Sequence, residues 1–146
     1  MTESSIKAEK AENLIYQGLS LIDEKKYPEA ENLIKKSYEI FKNKDLSAGI
    51  SICLSLLAFL NYSEHKVDFE SSLALIQDAS FMASRSANIS AQLINELILG
   101  NINFAENNKD VAIIHYNNAL KLSVEEDKFS PVSYTHLRAH ETKANL

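Results

Sequence analysis

Two segments of this chain carry the same small-residue spacing: Gly18 is followed twelve positions later by Ala30, and Gly100 by Ala112. Around each pair the apolar residues recur at helical period, as in Leu14, Ile15, Leu21 and Ile22 around Gly18. A hydrogen or methyl side group at a crossing point lets two helix axes approach closely, so each pair marks an antiparallel helical hairpin. The same device at both ends of one chain implies stacked hairpins, the logic of a helical repeat.

The rest of the sequence fits six helices in three pairs, spanning about residues 6–43, 46–87 and 90–124. Pro28 suits the first turn of the second helix, where its missing N–H costs nothing, and Glu29 and Glu31 suit the positive end of that helix dipole. The third helix (Ile50, Cys53, Leu54, Leu56, Leu57, Leu60) is apolar almost all round and must be covered on several sides, which places it centrally. Its apolar run, interrupted by Ser51 and Ser55, is shorter than the roughly 20 residues that span a bilayer, so no membrane span is expected. With 3 Gly, 2 Pro and no segment of sustained period-two alternation, no sheet is expected.

In the first pair, Leu14, Gly18, Leu21, Tyr27 and Ala30 occupy a recognisable pattern, with Ile34 standing for an aromatic and Ser37 for an alanine. In the third pair, Leu99, Gly100, Asn101, Ala112, Tyr116, Ala119 and Leu120 do the same, while Asn103 and Lys109 depart from it. This pattern resembles the tetratricopeptide repeat family. The resemblance implies a right-handed α-solenoid of about three antiparallel hairpins. The middle pair (Ala58, Phe69, Ser72, Ile76, Ala79) fits only with a lengthened loop. From Gly18 to Gly100 the repeat averages about 41 residues against the family's roughly 34, which resembles the extended repeats of bacterial regulatory proteins and leaves another α-solenoid class open.

In that family the first helix of each pair lines a concave groove that receives a partner. By position, the resemblance places Ile15, Leu19 and Ile22, flanked by Glu12 and Asp23, in the groove from the first pair. From the third it places Leu97, Asn101 and Phe104, flanked by Ile94 and Ala105. Such a surface is mostly apolar and suits a protein or peptide partner, in particular an amphipathic helix. The polar clamp by which some family members hold a terminal carboxylate is not expected, because Ile15 and Leu19 stand where it needs polar groups.

The last residues, Val132 to Leu146, resemble a translated sequencing adapter, every residue fitting one reading frame of it. On this reading residues 1–131 are the repeat region and 132–146 a non-native, irregular tail. His136 and His140, four apart beside Glu141, then mimic a metal-ligand spacing by accident.

A formal charge of −5, with acids interleaved among the lysines, argues against a nucleic-acid partner. A single cysteine makes no internal disulfide, and the N-terminus lacks a secretion-signal pattern, so a cytoplasmic setting is expected. Cys53, in its apolar helix, reads as an inert buried thiol; His65 reads as a solvated loop residue and His115 as a packing or solvated residue rather than a ligand. No glycine loop for phosphate and no convergent polar constellation is present in the sequence, so neither a cofactor nor a catalytic activity is expected. Two functions stay open: a protein-interaction scaffold, prone to self-association if its apolar end is uncapped, and the N-terminal sensory or regulatory part of a larger histidine kinase, cyclase or transcription regulator.

Overall fold

The computed structural model describes residues 2–129. They form six helices: α1 (Glu3–Asp23), α2 (Tyr27–Asn43), α3 (Ser47–Ser63), α4 (Phe69–Ser86), α5 (Ile89–Ala105) and α6 (Lys109–Phe129). No strand occurs among the described residues, so the chain is all-α. The helix limits match the periodicity closely, the main differences being an earlier start of α1 and the run of α6 past Val124. The tail at 132–146, with His136 and His140, lies outside the described residues.

The helices end for a common local reason. Each of the five junctions holds one non-glycine residue at positive φ: Lys25 (61°), Asp45 (53°), Lys66 (55°), Ala87 (52°) and Asn107 (67°). At four of them the next N–H reaches back over the turn, Lys26 to the Leu21 carbonyl (2.8 Å), Leu46 to Phe41 (3.0 Å), Val67 to Asn61 (3.1 Å) and Asn108 to Asn103 (2.8 Å). This satisfies carbonyls that the helix itself leaves unpaired. Two starts are capped by side chains: Asp68 accepts from the Ser71 N–H (2.8 Å) and Asn88 from the Ala91 N–H (2.9 Å).

Consecutive helices are joined by turns of two to five residues and each packs on the next. α3 packs on α2, α4 and α5, the central position its all-round apolarity required. Its buried residues include Ile50, Cys53, Leu56, Ala58 and Leu60, joined in the core by Ala11 and Ile15 of α1, Ala30, Ile34 and Phe41 of α2, Ile76 of α4, and Ile98 and Ile102 of α5. Tyr27 meets Phe59 edge to face, ring centroids 6.3 Å apart.

The small residues work differently from the expectation of small group against small group. Each glycine seats a large side chain of the neighbouring helix. A Cβ on Gly18 would lie 2.6 Å from Ile34 Cδ1, with the Ala30 carbonyl oxygen 3.7 Å away. A Cβ on Gly100 would lie 2.5 Å from Tyr116 Cε1, and the three nearest atoms all belong to Tyr116 rather than Ala112. The first and third hairpins therefore share one register. Gly49, read from sequence only as a helix start, has the Phe41 ring packed directly over the position of its missing Cβ.

Buried serines and one asparagine stitch the helices together. Ser37 Oγ donates to the Ala11 carbonyl (2.8 Å) and accepts from Cys53 Sγ (3.6 Å). Ser51 Oγ donates to the Ala79 carbonyl (2.7 Å). Asn95 Nδ2 donates to the Ile76 carbonyl (3.2 Å) and lies 3.4 Å from Ser55 Oγ. Each group is small enough to sit at a helix contact and is hydrogen-bonded there, as a buried polar atom must be. Ser51 and Ser55 thus interrupt the apolar run because they face neighbouring helices, not because they face water.

Candidate functional site

The six groove residues expected from sequence divide between two environments. Ile15 is 6% exposed and belongs to the core, while Leu19 and Ile22 are half-buried against it. The packed body of the protein takes up these three side chains, because the face of α1 that carries them is also the face that meets the core. On α5 the outcome is different. Leu97 is 39% and Phe104 57% exposed, and Asn101 between them is exposed as well. The three stand at i, i+4 and i+7, one stripe of one helix. Asn101 is held in place by Tyr116, whose hydroxyl donates to Asn101 Oδ1 at 2.6 Å. The ring that fills the space over Gly100 therefore also positions the polar group in the middle of the apolar stripe.

A second apolar stripe runs along α6. Ile113, Leu120 and Val124 are exposed at i, i+7 and i+11, with Val111 and Ile114 exposed beside them. Among the described residues, seven of the ten exposed large hydrophobics thus lie on α5 and α6, so the apolar surface is concentrated at one end of the helix order. Isolated exposed apolar residues are ordinary on a protein surface; contiguous ones mark contact sites.

Two polar clusters join different helices or hairpins. On α5 and α6, Glu96 Oε2 lies 2.7 Å from His115 Nδ1 and accepts from Asn118 Nδ2 at 3.4 Å. Between the first two hairpins, His65 Nε2 lies 3.0 Å from Glu31 Oε2 and 3.7 Å from Glu64 Oε2. The hydrogen bond to His65, with help from Lys35 on the other oxygen at 3.2 Å, holds the Glu31 carboxyl below its usual range against the opposing effect of burial. The same bond raises the His65 imidazole above its ordinary value. His65 is therefore engaged rather than simply solvated, as it read in the sequence. Nothing local could show this, since Glu31 sits in a different hairpin.

Cys53 behaves as its surroundings dictate. Burial pushes its thiol up to about 11, the contact with Ser37 only partly opposing it, and a thiol so held is a poor nucleophile at neutral pH. A cleft of about 400 Å³ opens between α1 and α2, lined by Lys7, Lys10, Ile40, Asn43 and Lys44. Lys7 is also 3.6 Å from Glu3. Among the described residues no helix is long and apolar enough to cross a membrane.

Scans of this chain against protein-family models, curated proteins and solved structures found no match.

Proposed function

We propose that this chain is a protein-interaction scaffold, a tetratricopeptide-like α-solenoid that receives an amphipathic helix from a partner protein. The observation that carries this reading is the α5 stripe of Leu97, Asn101 and Phe104, apolar and exposed at both ends with a fixed polar group between. A partner helix with its own apolar residues at i, i+3, i+4 and i+7 would bury Leu97 and Phe104 and satisfy Asn101. Of the first-pair residues, Leu19 and Ile22 retain partial exposure on α1, and Ile15 is part of the core.

The test is to pan a library of amphipathic helical peptides against the full chain and compete the selected peptides with Phe104→Lys and Leu97→Lys variants. Peptides that bind the parent chain and lose at least about tenfold in affinity to either variant, roughly 1.4 kcal/mol, support the reading. Selected peptides that bind all three proteins equally would place the contact elsewhere and overturn it.

The α6 stripe favours a second reading. If the helices regulate an effector domain in a larger cytoplasmic signalling protein, then Ile113, Leu120 and Val124 form the face that meets that domain. The same stripe would support self-association of the chain when no such domain covers it.

A further inference from the structure

We propose that Glu31, Glu64 and His65 form a binding site for a zinc-class divalent cation that clasps α2 to the C-terminal end of α3.

The argument begins with donor geometry. The ligating atoms of the three side chains all lie within 4.8 Å of one another. The two distances from His65 Nε2 are 3.0 Å to Glu31 Oε2 and 3.7 Å to Glu64 Oε2. Around a tetrahedral zinc ion with bonds of about 2.0–2.2 Å, neighbouring donors stand roughly 3.4 Å apart. The two edges that meet at His65 already bracket this spacing and the ligating atoms stay within 4.8 Å of one another, so an ion could enter with side-chain adjustments. The fourth position would face outward past His65, which is about half exposed, and could hold water.

An independent observation concerns Glu64. Its Oε2 atom is out of reach of solvent and accepts no hydrogen bond. A carboxylate oxygen left in that condition is costly, and the His65 nitrogen 3.7 Å from it is already engaged by Glu31. Glu64 is also the C-cap of α3, where the helix dipole presents its negative end and a further negative charge is unfavourable. A cation between Glu64 and Glu31 would answer both problems. Lys35 does not fill this role: it contacts Glu31 through Oε1 and leaves Oε2 facing His65.

Ligand chemistry selects the ion class. One imidazole nitrogen with two carboxylates, in a cluster too small for six or more oxygen donors, suits zinc, copper or nickel rather than calcium or magnesium. Because Glu31 comes from the first hairpin and Glu64 and His65 from the turn after α3, the bound ion would cross-link two hairpins. It would therefore raise the stability of the fold by linkage, since the unfolded chain does not hold these donors together.

The test uses the full chain carrying His136→Ala and His140→Ala, which removes the competing histidine pair of the tail. After chelator treatment, zinc sulfate is added and binding is followed by titration calorimetry and by the imidazole proton resonances of His65. The expected result is one zinc per chain, a shift of the His65 resonances at saturation, and an affinity reduced about tenfold or more in His65→Gln and in Glu64→Gln. Glu39→Gln, an exposed carboxylate of α2 outside the cluster, should bind as the parent does. Magnesium and calcium should produce no shift. The proposal is overturned by absence of zinc binding, by unmoved His65 resonances, or by equal affinity in the His65→Gln variant.

Discussion

Replacing Gly49 with alanine adds one methyl group to the third residue of α3. In an open helix this substitution is favourable by about 1 kcal/mol, because glycine carries the larger backbone entropy cost. Here the new Cβ would collide with the Phe41 ring at Cγ, Cδ1 and Cδ2, a side chain itself only 5% exposed and enclosed by the core. A ring in that setting cannot turn aside as a terminal methyl can, so either the ring leaves its rotamer or α2 and α3 separate. Overpacking of this kind costs about 1–3 kcal/mol. The two effects oppose each other, and the second is the larger: Gly49→Ala should destabilise the protein by up to about 2 kcal/mol. Gly18→Ala is the internal control. Its Cβ would meet the far end of the Ile34 side chain at 2.6 Å, which a χ2 rotation relieves, so its cost should be smaller. Urea denaturation followed by far-UV circular dichroism measures both. The decisive comparison is a double-mutant cycle with Phe41→Leu, in which the shortened side chain should make Gly49→Ala neutral or favourable, with a coupling of at least about 0.5 kcal/mol. Equal effects of Gly49→Ala in the two backgrounds, or stabilisation of the parent chain by it, would refute the reasoning.

Ala87→Gly should stabilise the fold by about 0.5–1 kcal/mol, since alanine at φ 52° bears the left-handed penalty that glycine avoids, less the greater freedom glycine gains when unfolded; urea midpoints check this. Asn95→Leu removes the bond to the Ile76 carbonyl and forces a bulkier apolar group against Ser55, so it should destabilise by about 1–3 kcal/mol in the same assay. Asp68 caps α4, and its hydrogen bonds from Ser71 hold its carboxyl below the ordinary value of 3.8. A lowered folded-state value means that this stabilisation is complete above pH 3.8 and is lost as pH falls through the lower value. The melting temperature of Asp68→Ala should therefore lie below that of the parent chain at neutral pH, with the gap closing in strong acid; a gap independent of pH would contradict the capping role.

The helices and their pairing were legible because they rest on neighbours in sequence. Apolar period, Pro28 at a helix start and polar turns at Glu24–Lys26 and Asn107–Lys109 are local signals, and the expected limits fell close to the observed ones. The shared spacing around Gly18 and Gly100 likewise located two real hairpin contacts, although what meets each glycine is a large side chain at sixteen positions' distance, Ile34 or Tyr116, rather than the nearer alanine. A glycine announces that something approaches closely; it does not say what.

The sequence by itself determined the all-α class, the six helices and the central place of the third, since each follows from short-range preference and from the amount of apolar surface a helix must cover. Only the tertiary structure decided which amphipathic faces became interior and which stayed outside: Ile15 went to the core and Leu97 to the surface, though each stands three positions before the glycine of its hairpin. It alone turned Ser37, Ser51 and Asn95 into links between helices, and brought Glu31 against Glu64 and His65. The physical reason is that periodicity gives the direction of a side chain around its own helix axis, whereas burial and convergence depend on how one hairpin is rotated against the next.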